Sequence, residues 1–235
     1  MPVDATRVTV RLSAPTGDAR TDRWRAHRAT VRAELIEATL RAIEEFGPDL
    51  SIDDVVKTAG VPRPKLYRFF TDKETLFAAV GERAQQLVLE RVIPQFHLTA
   101  TALELVRSAL VGYVDLVDER PNLFRFLVGS HFSDDHSRTK LFENGRNLST
   151  ATTDILAAML RAHGGDVDHL EYAVDGILGA VALGVLRWLN EPTISKDELI
   201  AELTPVIWGA LSATAAARGV VIEPDEQMAL FGPTD

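Results

Sequence analysis

From about Arg25 the apolar residues fall on a helical period. Val31, Leu35, Ala38, Ala42 and Phe46 follow one another at spacings of four, three, four and four, and Gly47-Pro48 stops the run. Ser51, with Asp54 three positions on, predicts an N-terminal cap for a short helix carrying Ile52, Val55, Val56 and Ala59 on its apolar side. Gly60 fits the left-handed position beyond its end. Thr71 and Glu74 form a second cap pair, opening a helix through Leu76, Val80, Ala84 and Leu87 to about Val92, where Pro94 ends it. Further helical patterns cover Leu103 to Val117, Pro121 to Val128, about Leu141 to Ala162, Val167 to Leu189 and Ser195 to Arg218. Gly164-Gly165 and Asn190 to Pro192 separate the last three. No stretch alternates strongly enough for a sheet, no internal repeat is present, and the expected fold class is all-α.

Residues 1 to about 24 alternate only weakly, are broken by Pro15 and Gly17, and read as a flexible basic arm. The expected organisation is this arm, a small helical domain over 25–75, a larger one over 76–220, and a tail over 221–235.

At 235 residues, 46% of them hydrophobic and 25% charged, the composition is that of an ordinary globular protein with a sizeable core. No run approaches the roughly 18 uncharged apolar residues of a membrane span, and the N-terminus lacks a signal-peptide core. The expectation is a cytoplasmic protein with no membrane partner. The chain has no cysteine, which excludes disulfides, thiolate metal sites and thiol nucleophiles.

The net charge of −9 opposes a nucleic-acid partner at first reading, because duplex DNA is a polyanion. The distribution changes the picture. Residues 1–73 hold 13 basic and 11 acidic residues, a balance of +2, and the remaining 162 carry −11. Arg20, Arg23, Arg25, Arg28 and Arg32 concentrate positive charge near the start.

The stretch DDVVKTAGVPRPKLYRFFTDKE, residues 53–74, has the punctuation of a helix-turn-helix. Such a motif needs a helix of about two turns, a tight turn, and a second helix whose N-terminal end exposes polar side chains to base edges. Gly60 supplies the turn, Leu66, Phe69 and Phe70 face inward, and Lys65, Tyr67 and Arg68 are left on other faces with Arg63 just ahead. Spacing alone equally allows a short helix pair with a basic wet side.

The local sequence resolves this. AGVPRPKLYRFFTDKETLF resembles the N-terminal domain of TetR/AcrR-type transcriptional regulators, which carry Ala-Gly-Val, Leu-Tyr-x-Tyr/Phe-Phe and Lys-Glu-x-Leu at this spacing. The specific part of the match runs from Ala59 through Leu76. The C-terminal part resembles the family in being helical, in length, and in the phrase PNLFRFLV. The resemblance implies a ligand-responsive DNA-binding regulator, a repressor released from its operator by a small, mostly apolar effector, and neither an enzyme nor a cofactor protein. Its partners would be double-stranded operator DNA, an effector of unknown identity and a second copy of the chain.

Placed residue by residue, the resemblance assigns Ser51 to phosphate, Arg63, Lys65 and Arg68 to bases or phosphates, Tyr67 to the backbone, and Lys73 to phosphate. Arg28 joins them from the preceding helix. Two departures stand out. Pro62 replaces a Ser or Thr and cannot cap with a hydroxyl, and Pro64 disfavours helical geometry at Arg63. The recognition helix is therefore expected to start at Pro64, with Arg63 at its cap.

In the larger domain, Gly176, Gly179, Ala180, Ala182 and Gly184, then Ala210, Ala213, Ala215, Ala216 and Ala217, allow close helix approach within one subunit or between two. In TetR-like proteins the last two helices pair with their symmetry mates, which nominates Leu183, Leu186, Trp188, Ile207, Trp208 and Leu211 for a dimer interface. Pro205 inside the final helix is expected to kink it. Leu103, Val106, Tyr113, Phe124, Leu127, Phe132, Phe142, Ile155, Met159 and Tyr172 are mostly core, and a minority of them would line an effector cavity. HFSDDH, residues 131–136, holds two histidines and two aspartates but reads as a solvated interhelix loop, not a metal site. The competing reading is an all-α carrier of hydrophobic ligands, or a metal-dependent enzyme, that keeps the small domain for packing.

Overall fold

The computed structural model describes residues 19–95, 101–132 and 139–227, with side chains over 22–94, 101–128 and 148–227. Within it α1 spans Ala19–Phe46, α2 Ile52–Ala59, α3 Arg63–Leu66 and α4 Lys73–Val92, which continues into a 3₁₀ turn, Ile93–Gln95. The larger part holds α5 (Ala102–Glu119), α6 (Pro121–Phe132), α7 (Thr139–Ala162), α8 (Leu170–Asn190) and α9 (Lys196–Ala216). Among the described residues the only β pairing is an isolated bridge between Thr101 and Gln227, so the fold is all-α as expected.

Most helix ends follow the local chemistry. Ser51 caps α2 in a reciprocal box, accepting from the Asp54 amide at 3.3 Å while its own amide donates to the Asp54 carboxylate at 2.8 Å. Hydrogen bonds from the Ser51 hydroxyl and then its amide hold the Asp54 carboxyl below the usual carboxylate range. Thr101 and Ser195 make the same box at the starts of α5 and α9.

Several boundaries differ from the sequence reading: α6 runs on to Phe132 and α8 begins only at Leu170, and three further differences bear on the head. First, α1 begins at Ala19, so Arg20 and Arg23 lie on helix and not in an arm. Its first turns carry no apolar stripe because they bury nothing; adding turns to an existing helix of Ala and Arg is inexpensive. Second, α4 is capped by Asp72, not Thr71. The Asp72 carboxylate accepts from the Thr75 amide at 2.6 Å, a charge-assisted bond that a hydroxyl matches poorly. Third, α3 starts at Arg63, not Pro64. Pro62 sits extended before it without a side-chain cap, and Pro64 falls in the first turn, where its missing amide costs no bond.

The described apolar side chains form two principal compartments. One joins α1, α2, α3 and the first half of α4 around Leu40, Ile43, Val55, Leu66, Phe70 and Leu76. It also takes in Leu123 and Phe126 of α6, and Phe126 meets Phe77 edge to face at 4.9 Å. The other joins α5, α6, α8 and α9 around Val114, Val181, Val185 and Ile207. Pro205 lies within α9, where the carbonyl four residues back loses its helical donor. The start of the expected tail is packed: Ile222 is half-buried, and the Glu226 and Pro224 carbonyls accept from the amides of Ala102 and Leu103 at the head of α5.

Gly60 ends α2 at φ 63°, and a Cβ there would meet no atom within 4 Å. Gly60→Ala should therefore destabilise through backbone strain alone, by about 1–2 kcal/mol, with Gly60→Asn milder. Urea unfolding midpoints of the two variants check this; equal stability of Gly60→Ala and the parent would contradict the left-handed turn.

Candidate nucleic-acid interface and apolar cavity

The helix-turn-helix is built on two buried side chains. Leu66 and Phe70, each 1% exposed, clamp α3 and the turn after it onto α1 and α2. With those side chains inward, Lys65, Tyr67 and Arg68 stand in solvent. The α3 helix proper is one turn long and tightens afterwards, the Arg68 and Phe69 amides bonding to carbonyls three residues back.

Arg63 is inside the first turn, and its guanidinium pairs with Asp53 of α2 at 2.9 Å. Both partners are largely exposed, so the pair is weak and a phosphate or base edge can displace Asp53. Ser51 is exposed, its hydroxyl donating to Asp54 at 2.7 Å. Lys73 is the first residue of α4 and exposed, its ammonium 4.9 Å above the Phe77 ring. Because the Asp72 carboxylate already caps that helix, the dipole there offers an anion less than an uncapped end would. Arg28 is exposed on α1. Its guanidinium is engaged within the chain, stacked on Trp24 and Phe69 and donating to the Arg68 carbonyl at 3.1 Å.

Behind the head, α4 to α9 surround a cavity of about 1030 Å³. Its lining is almost wholly aliphatic and aromatic; Arg120 and Asp175 are the charged side chains among the described lining residues. Of the expected ligand residues, Val106, Tyr113, Phe124, Leu127, Ile155 and Met159 line it. Burial pushes the Tyr113 phenol up, so it is a neutral hydrogen-bonding group at all ordinary pH. Ser149 donates to Asp175 at 2.5 Å on the same wall.

Tyr172 does not belong to this group: it is 74% exposed on α8 and outside the cavity. Leu103 is half-buried near the head of α5 and also lies off the lining. Both sit at helix positions whose period matches their neighbours, but the bundle rotates those faces away. The side chains of Phe132 and Phe142, and most of HFSDDH, lie outside the described residues. Among the described residues no group of three or more metal-ligating side chains is assembled.

The interface candidates divide as well. Leu183 is 56% exposed on α8 and also borders the cavity. Ile207 is 5% exposed in the single chain and belongs to its own core, leaving almost no surface for a partner. Trp208 and Leu211 line the cavity. Leu186 and Trp188 pack inside the chain, with the Trp188 indole donating to the Ile194 carbonyl at 3.0 Å.

The small residues sort by the same test. A Cβ on Gly184 would meet the Leu203 side chain at 3.0 Å, so this glycine serves the α8–α9 contact within the chain. Cβ atoms on Gly176, Gly179 and Gly209 would meet nothing. Helices α8 and α9 are long and apolar enough, by length and composition, to cross a membrane, with mean hydropathies of 1.5 and 1.4. Only 17% and 28% of those windows are buried. Their charge-free runs are residues 176–186 and 203–216, both shorter than the roughly 18 residues of a span.

Two family models cover these parts. One described as bacterial regulatory proteins, tetR family, matches residues 35–80; one described as tetracyclin repressor-like, C-terminal domain, matches 96–221. An HTH-type transcriptional regulator of Mycobacterium tuberculosis is 32% identical over 215 residues, covering 89% of each chain. The HTH-type transcriptional activator FasR of Mycolicibacterium smegmatis is 24% identical, covering 80% of this chain and 85% of its own. Among solved structures, a tetR-family regulator from Streptomyces coelicolor superposes with a TM-score of 0.63 at 24% identity, covering 80% of this chain and 83% of its own. FadR from Bacillus subtilis in complex with stearoyl-CoA gives 0.59 at 22%, covering 77% and 97%. With both halves matched and a mycobacterial relative aligned along most of its length, the chain belongs to the TetR family of bacterial transcriptional regulators.

Proposed function

We propose that this chain is a homodimeric repressor that leaves its operator when a mostly apolar effector enters the cavity. The observation that carries the reading is that the cavity and the reading head share side chains. Ala84, Leu123 and Leu127 line the cavity and also pack in or against the core that holds α3. An occupant that displaces α6 or α4 thus disturbs the seat of the recognition helix. The energetic requirement is only that the effector prefer the arrangement that fits DNA less well.

Two further bonds tie α6 into the relay. The Glu44 carboxylate at the end of α1 accepts from the Leu123 amide at 2.9 Å, capping α6 from the head. At the other side, Arg125 donates to the Leu189 carbonyl of α8 at 3.1 Å. The aliphatic lining favours a long apolar effector, and the bound stearoyl-CoA named for the Bacillus FadR structure supports the same chemical class.

A second copy supports both halves of this reading. Gly176, Gly179, Leu183, Val206 and Gly209 are exposed small or apolar positions on α8 and α9, Cβ atoms on the glycines would meet nothing within 4 Å, and Gly179 and Leu183 also border the cavity. Glu171, Asp175 and Arg187 are exposed on α8 as well, which disfavours lipid and favours a protein neighbour. A two-fold mate would place two heads on one duplex, about 34–36 Å apart in the DNA-competent state.

Arg68 and Lys73 should separate base reading from phosphate holding. Arg68→Ala is expected to cost about 1–3 kcal/mol on a selected duplex and less on unrelated DNA. Lys73→Ala should weaken all sequences alike and lower the salt slope by about one unit per contact. Titrations at several salt concentrations decide this; the reverse pattern would mean that the reading face is wrongly assigned.

For the cavity, long-chain acyl-CoA and free fatty acids should raise the melting temperature and release DNA. At a hundredfold excess over Kd the stabilisation is about 2.7 kcal/mol. Ala109→Phe fills the wall, and should abolish that stabilisation while DNA affinity is retained. Loss of DNA binding without loss of ligand response would contradict the separation.

Leu183→Arg together with Val206→Glu should convert the dimer to monomer in analytical ultracentrifugation and weaken operator binding. A monomeric parent at micromolar concentration would refute the dimer.

A further inference from the structure

The first turns of α1 project beyond the packed head, and the N-terminal family model begins only at residue 35. Every residue from Asp22 to Thr30 is exposed. Four of the nine are Arg23, Arg25, His27 and Arg28, against Asp22 alone as an acid, in a chain whose net charge is −9. Trp24 stands among them at 60% exposure, an aromatic with nothing of the core to cover.

This segment is nevertheless aimed. The Arg28 guanidinium lies 5.6 Å from the Trp24 ring centroid and 5.3 Å from that of Phe69. Its Nη2 donates to the Arg68 carbonyl at 3.1 Å. The stack therefore joins α1 to the end of the recognition element, at the residue whose side chain stands ready to read bases. From Arg28 the helix runs back to Ala19, about 14 Å at 1.5 Å per residue. That span equals about four base pairs of duplex.

We infer that the projecting start of α1 is a second DNA-binding element, gripping the duplex beside the bases read by α3, with Arg28 as the residue that positions it. The inference rests on the DNA-binding reading above. The partner is duplex DNA because the segment is basic where the rest of the protein is acidic, and a polyanion is the complementary surface. An exposed tryptophan among arginines is suited to lie against sugar and base in the minor groove. Arg28 is spent on geometry: its planar fork stacks on two rings and bonds a carbonyl, a role for which a lysine is a poor substitute.

The test uses the full-length chain and duplexes it selects from a randomised library. Each duplex is made in two lengths, one ending at the site read by α3 and one extended on both sides by one helical turn, roughly 10 bp. The parent should bind the longer duplex more tightly, with a salt slope steeper by about 3.6 units for roughly four extra phosphate contacts per dimer. Arg23→Gln with Arg25→Gln, which keeps good helix formers in place, should remove that gain and leave the short duplex unaffected. Trp24→Ala should reduce the gain. Arg28→Lys, which keeps the charge, should lose it too, whereas a simple phosphate contact would be preserved. Equal affinity and slope of the parent on both lengths would overturn the inference while DNA binding stands, and so would full activity of Arg28→Lys. Failure to select any duplex would overturn both readings.

Discussion

Ala84, Leu123 and Leu127 belong to two compartments at once. On one side they touch the core that seats the recognition helix, and on the other they form wall of a cavity of about 1030 Å³. Protein interiors are packed to crystal-like density, so a side chain in such a shared layer cannot shift on one side alone. The Glu44 cap on α6 and the Phe77–Phe126 contact reinforce the layer with a directional bond and an edge-to-face ring pair. In the proposed mechanism this layer links the head to the larger part of the chain despite their different charge.

That charge difference has a physical use. In the proposed DNA complex the acidic body lowers non-specific attraction and leaves the contact to the few cations of α1, α3 and the start of α4. Each is held differently. Arg63 leans on a displaceable Asp53, Lys73 rests over Phe77, and Arg28 is locked between two rings. The same residue type thus ranges from available to structural, depending on what surrounds it.

At the far end of the molecule, α8 and α9 carry more apolar surface than one chain buries. Tethers elsewhere in the bundle are polar: Lys196 bonds Asp115 and Asp118, which raise its affinity for its proton, and Arg83 is held likewise by Glu37 and Glu90. The exposed glycines of α8 and α9 lack any such local role. Exposed apolar surface of this kind is characteristic of helices that pack against another chain.

The sequence by itself determined the all-α class, the capped α2, the left-handed turn at Gly60 and the inward set Leu66 and Phe70, because each follows from the spacing or hydrogen-bonding of near neighbours. Local chemistry misled where two neighbours compete for one role: Asp72 took the cap from Thr71, and Arg63 entered the helix that Pro64 was expected to open. It was silent about the first turns of α1, since a helix that buries nothing has no apolar period to read. Only the tertiary structure decided which apolar residues line the cavity. Ile207 and Leu183, on adjacent helices, both border it, yet one is buried core and the other is largely exposed. Val106 and Tyr172 likewise part company, one to the cavity wall and one to the exterior. Periodicity gives the side of a helix that is buried, but what that side faces depends on how the helices are rotated against one another, and that is a property of the packed bundle.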